Sequence, residues 1–121
     1  MHMSKIKYID DYLTSKWGTY YDGISYNSAN MRNINNTPTS NELDNITNLM
    51  VNIYDPICDY FNLKIPIHST FRGKLLNFAV GGASNSQHKL GEAMDIDGDG
   101  TNVKNSDIFM YFKCIDCGYS Q

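Results

Sequence analysis

The residues of this chain best equipped for chemistry fall in one short run, Ser86-Gln87-His88-Lys89-Leu90-Gly91-Glu92-Ala93-Met94-Asp95. It holds an imidazole and a carboxylate, His88 and Asp95, and both are good ligands for zinc. Six residues, 89–94, separate them. A loop or hairpin of that length can fold back and point both side chains inward. Gly91 permits a tight approach of the chain, and the small Ala93 leaves room beside an ion. The same residue types equally suit a surface pair or a hydrogen-bonded core histidine, and spacing alone leaves these readings open.

Two other groups are candidates. Asp95-Ile96-Asp97-Gly98-Asp99-Gly100 fits the opening of a calcium loop, D-x-D-x-D-G. The twelfth place of that loop falls on Ser106, where a bidentate Glu is required, and Asp107 comes one place late. An EF-hand also needs a helix leading in, whereas 93–96 reads as extended. Asp97 and Asp99 are therefore read first as turn residues. Cys114 and Cys117 form a lone C-x-x-C. Half of a structural zinc site or a redox pair has this spacing, but no second pair completes it, and two small residues near a helix end is the simpler reading. With Cys58 the cysteines number three, an odd count that favours reduced thiols.

The elements that must carry these residues can be read from pattern. A short helix is expected over 6–16, then irregular structure in which Trp17, Tyr20, Tyr21 and Tyr26 pack over the domain as a cover rather than bind sugar. Thr37-Pro38-Thr39-Ser40 is a helix start, with hydroxyls to cap and Pro at a permitted early position. Leu43, Ile46, Leu49, Met50, Ile53, Ile57 and Tyr60 recur at helical spacing and make one apolar face. Pro56 falls inside this pattern and should kink or divide the helix. A strand is expected over 64–71, a short helix over 72–78, and a loop over 80–85. A second strand over 93–96 enters the turn 97–100. Ser106 should cap a last helix over 107–117, ended by Gly118. Interleaved helices and strands with short connections indicate an α+β fold.

Composition narrows the function. At 121 residues the chain suffices for one domain and not two. A net charge of -3 without a long basic run argues against a nucleic-acid partner, which requires Lys and Arg against phosphate. No apolar stretch approaches the ~20 residues that span a bilayer, so no membrane partner is expected. No charged segment followed by an apolar run opens the chain, so a protein made in the cytoplasm without a signal peptide is expected. Residues 1–3, Met-His-Met, look like a cloning scar.

The pattern S-x-H-x-x-G-x-A-x-D, present here from Ser86 to Asp95, resembles at every fixed position the signature of the D-Ala-D-Ala carboxypeptidase-type zinc peptidases, which include many phage endolysins. Ser69-Thr70-Phe71-Arg72 followed by Asn77 resembles that family's S-G-Y-R-S-x-x-x-N stretch. Gly81-Gly82 sits where the family has a Gly-Gly turn, and Asn36-Thr37-Pro38 with the Pro56 helix looks like its lead-in. The resemblance runs from about Asn36 to the end and is most specific over 67–96. It implies a Hedgehog/DD-peptidase-like single domain with a small, mostly antiparallel sheet and flanking helices. In that scheme 4–36 is an N-terminal cover and 37–121 the core.

Carried over by position, the resemblance implies zinc as cofactor, with His88 and Asp95 as two of its ligands. Arg72 matches the arginine that holds substrate near the metal, through a planar fork of donors suited to a carboxylate or oxyanion. On residue type alone, Arg72 also suits a surface salt bridge. Ser86 is implied to support the site by a hydrogen bond. Two departures are visible: Thr70 stands where the family has Gly, and Gly73 where Ser is usual. The family also has a third ligand, a histidine, and a carboxylate general base nearer the C-terminus. No histidine follows Asp95 here, and His68 matches no ligand position. The chain is thus expected to stop short of both and to be inactive, or nearly so, by itself. The expected function is a zinc-dependent peptidoglycan peptidase, a D,D-carboxypeptidase or endopeptidase. Its partner would be a bacterial peptidoglycan peptide, and it would act at the bacterial cell wall, as a phage or prophage lysin does. No oligomeric state is implied. The contrasting expectation is a non-catalytic cell-wall or calcium-binding module that keeps the fold.

Overall fold

The computed structural model describes residues 15–26 and 34–114. The expected helix over 6–16 lies mostly outside them, and its described end, Ser15 and Lys16, is irregular. Helix α1 then spans Tyr20–Ile24, where irregular structure was expected. Its signal is a capping box: Thr19 Oγ1 accepts from the Asp22 amide, and the Asp22 carboxylate accepts from the Thr19 amide. Tyr20 is buried and Trp17 packs against the core, while Tyr21 is exposed.

Helix α2, Ser40–Leu49, starts with a second capping box between Thr39 and Glu42. It runs without a break into a wide π-helical turn, Met50–Tyr54, and then α3, Asp55–Phe61. The Asp55 amide donates to the Met50 carbonyl, five residues back. Pro56, in the first turn of α3, explains the wide turn. It has no N–H, and its ring crowds the carbonyl four residues earlier, so an expanded turn relieves both problems. The helix is thus divided by a change of pitch. A wider turn rotates each residue less, which delays the apolar face. Tyr54 and Cys58 are fully buried, while Tyr60, expected on that face, is exposed. Asn62, in the left-handed region at φ 57°, ends α3.

Ile46, Met50, Tyr54, Ile57 and Cys58 form the centre of the core, closed by Ile65, Phe71, Val103 and Ile108. Strands β1, Ile67–Ser69, and β2, Asp95–Ile96, pair antiparallel, Ile67 with Ile96 and Ser69 with Asp95. Both are shorter than the pattern predicts. Pro66 has no amide to pair, and beyond Ser69 the backbone groups of Thr70 and Arg72 bond to His88 instead of to a strand. Helix α4 spans Lys74–Ala79 and α5 spans Asn105–Cys114. Ser106 lies inside α5 rather than capping it. Asn105 Oδ1 accepts from the Gly98 amide, and the Lys104 carbonyl accepts from Asp107 and Ile108. Cys58 and Cys114 are free thiols, while Cys117 and Gly118 lie outside the described residues. The whole is a small α+β domain whose two-stranded ladder brings the Arg72 and Asp95 segments together.

Candidate metal centre

The segment bearing His88 is shaped by its glycines. Gly81 sits at φ +78°, a conformation that L side chains resist. Gly82 is pressed on Asn77, whose Oδ1 would lie 2.1 Å from an added Cβ. Asn77 Nδ2 in turn donates to the Ala83 carbonyl at 2.9 Å. From this turn the chain enters a single 3-10 turn, Gln87–Leu90, capped by Ser86, whose Oγ accepts from the His88 amide at 3.1 Å. Gly91 closes it at φ +76°. A Cβ there would lie 2.8 Å from the Glu42 carbonyl oxygen and 3.0 Å from Ile46 Cγ1, so the turn rests directly on α2. Asn45 Nδ2 fixes the same contact by donating to the Leu90 carbonyl at 2.8 Å.

His88 is consequently buried and held from two sides. Its carbonyl accepts from the Arg72 amide at 2.8 Å. Its ring Nδ1 lies 2.7 Å from the Thr70 carbonyl oxygen. A carbonyl only accepts, so Nδ1 carries the proton, and in the neutral ring Nε2 keeps its lone pair. Nε2 lies 3.4 Å from Asp95 Oδ2, and the carboxylate side chain is 57% exposed where that of His88 is 11%. Two ligands held 2.0–2.2 Å from a tetrahedral zinc are separated by about 3.3 Å. The spacing, the free Nε2 and the main-chain partner on Nδ1 all suit a metal ion, and that last feature is the usual outer support of a ligating histidine.

Arg72 joins His88 through the main chain. Its Nε is buried and donates to no group among the described residues, and the hydroxyls of Ser69 and Thr70 are in the same position. No group of three His, Cys, Asp or Glu side chains able to hold a metal occurs among the described residues. His68, on β1, is bonded through Nε2 to Asp97 Oδ2, just past β2, and takes no part with His88 in such a group among the described residues. Asp97 Oδ1 accepts from the Asp99 amide at 2.9 Å, and Thr101 Oγ1 donates to the Gly98 carbonyl. The 97–100 segment is thus a turn closed on its own backbone, entered from a strand rather than a helix.

Sequence reasoning overlooked the scaffold residues. The Thr70 carbonyl carries no side-chain signal. In the sequence Asn36 reads only as part of the lead-in, yet its side chain bonds on both sides of Arg72.

No helix among the described residues is long and apolar enough to cross a membrane. No curated protein and no solved structure matches the chain. A family model does, that of Peptidase M15, over residues 16–119, a span that begins upstream of Asn36 and takes in α1, the Arg72 segment, His88 and Asp95. That match covers most of the chain, which therefore belongs to the Peptidase M15 family.

Proposed function

We propose that this domain is a zinc peptidase of bacterial peptidoglycan, with His88 and Asp95 as two of its metal ligands and Arg72 as the group that receives substrate. The observation that carries the reading is the 3.4 Å approach of His88 Nε2 to Asp95 Oδ2, with Nδ1 already engaged by the Thr70 carbonyl. Bound zinc supplies a Lewis acid for the scissile carbonyl and lowers the pKa of a bound water. The protein's own part is positional. Ser86 caps the turn that presents His88, and Thr70 fixes the ring tautomer. The Arg72 guanidinium, whose Nε has no acceptor among the described residues, is suited to a substrate carboxylate or a developing oxyanion. A catalytic zinc ordinarily takes three protein ligands. Held by the two ligands found among the described residues alone, an ion would be loosely bound, and weak zinc binding with slow hydrolysis is the expected outcome.

Calorimetric titration with zinc tests this, together with muropeptide digestion with and without chelator. Weak binding that disappears in both His88→Ala and Asp95→Ala supports the reading. Zinc uptake that survives both substitutions removes it, as does chelator-insensitive cleavage. One observation favours a second reading, a non-catalytic cell-wall module: no third ligand stands with the pair among the described residues. Sedimentation with purified peptidoglycan, without release of fragments at saturating zinc, would favour that module.

A further inference from the structure

The segment Thr70–Gly73 belongs to no strand or helix, yet it must hold Arg72 beside His88. Its backbone groups have individual partners. The Thr70 carbonyl takes the His88 ring, the Phe71 amide donates to the Gly23 carbonyl at 2.9 Å, and the Arg72 amide donates to the His88 carbonyl. The two groups flanking Arg72 go to one side chain. Asn36 Nδ2 donates to the Phe71 carbonyl at 2.9 Å, and Asn36 Oδ1 accepts from the Gly73 amide at 2.6 Å. The second Nδ2 hydrogen goes to the Ile24 carbonyl at 2.7 Å, at the end of α1. This amide therefore brackets Arg72 and ties the bracket to a helix. The network also fixes which way the amide faces, since the flipped orientation would set its oxygen against two carbonyls.

From this geometry we infer that Asn36 is the positioning residue for Arg72: it sets the backbone from which the guanidinium reaches substrate, and it acts through Arg72 alone. The inference rests on the substrate-receiving role proposed for Arg72. Gly73 contributes to the same device. A Cβ at that position would lie 3.2 Å from Asn36 Oδ1 and 3.4 Å from the Phe71 ring, so the glycine leaves the amide room to close on the Gly73 N–H. The chemistry demands an amide in particular. Two carbonyls and one N–H must be satisfied by one short side chain, and Asn does this where Asp, of the same shape, has no donor.

The test uses Asn36→Asp and Asn36→Ser, with Gly73→Ala as a milder disturbance of the same contact in case the first two fail to fold. The first measurement needs no substrate. The Arg72 Nε–Hε signal is followed by nitrogen-edited NMR and compared with the indole signal of Trp17. The variants are expected to shift the Arg72 signal and speed its hydrogen exchange at least tenfold, leaving Trp17 unchanged. An Arg72 signal unaltered in the variants that fold overturns the inference. The second measurement is binding of the probe Nα-acetyl-L-Lys-D-Ala-D-Ala with zinc present. Asn36→Asp should weaken it about as much as Arg72→Gln, and the double variant should be no worse than Arg72→Gln alone. Additive losses would show that Asn36 does not act through Arg72. If Arg72→Gln leaves probe binding intact while the NMR response to Asn36→Asp is as expected, the substrate role of Arg72 fails and the positioning of its side chain stands. Zinc affinity, which depends on His88 and Asp95, should not move in any Asn36 variant.

Discussion

The ring Nδ1 of His88 lies 2.7 Å from the carbonyl oxygen of Thr70, 18 residues earlier in the chain, and this one contact decides which nitrogen of the imidazole is free. The neutral ring should exist as the Nδ1–H tautomer, which is the minor form in free histidine. Long-range nitrogen–proton correlation spectra of the metal-free protein check this. A dominant Nε2–H tautomer would mean that Nε2 is not poised as a ligand.

Gly91 and Gly81 both have positive φ, but only Gly91 is also crowded. Gly91→Ala combines left-handed strain with a Cβ 2.8 Å from the Glu42 carbonyl, and should cost about 2–4 kcal/mol. Gly81→Ala meets nothing within 4 Å and should cost only about 1–2 kcal/mol. Urea midpoints of the two variants measure the difference. Equal losses would show that the contact with α2 is not as close as described.

Thr70 is fully buried, and its hydroxyl has no hydrogen-bond partner among the described residues. Thr70→Val keeps the shape, and the carbonyl that holds His88 belongs to the backbone. The substitution should be neutral or stabilising by up to about 1 kcal/mol. A clear loss of stability would reveal a partner for that hydroxyl.

Asp55 and Asp59, on one side of α3, receive the N-terminal segment in different ways. Asp55 is buried and accepts from Ser15 Oγ and from the amides of Lys16 and Trp17. Asp55→Asn should cost about 2–3 kcal/mol, since these are bonds to a charged acceptor. Asp59 is exposed. Its bonds from Lys16 Nζ first, and then from Trp17 Nε1, hold its carboxyl below the usual range. A lowered folded value gives stability that is present above the ordinary carboxylate range and lost as pH falls through the folded one. Asp59→Asn should therefore lower the neutral midpoint slightly, leave the midpoint in strong acid nearly unchanged, and so flatten the acid side of the stability profile. Denaturant titrations across the acid range decide.

Tyr54 and Cys58 lie together in the core, and burial pushes both titrations upward, with a Tyr54–Cys58 hydrogen bond adding to the shift of Tyr54. The unfolded chain can ionise them where the folded chain cannot. Stability should be fully present below their ordinary values and fall as pH rises past about 9. Tyr54→Phe should reduce this alkaline slope. It also removes the donor to the Ile65 carbonyl, at a cost of about 1 kcal/mol in neutral solution. A profile equally steep in the variant would assign the alkaline loss to other groups.

Much of this could be read from residue order, because it is governed by local physics. Thr39 and Glu42 start α2 through their own side chains, Pro56 forces a change of pitch, and the glycines at 81, 82 and 91 announce turns wherever they lie. The spacing of Ser86, His88, Gly91 and Asp95 was likewise visible and carried the family resemblance. Tertiary structure decided what depends on partners distant in sequence. The strands stop short because Thr70 and Arg72 give their backbone groups to His88, 18 and 16 positions away. Asn36 reaches Phe71 and Gly73 across more than thirty residues, and no composition rule distinguishes it from the other asparagines. Gly91 is crowded as well as left-handed because α2 lies behind it. A ligand's type is a property of its side chain, whereas its direction and tautomer are set by whatever the fold places against its other end.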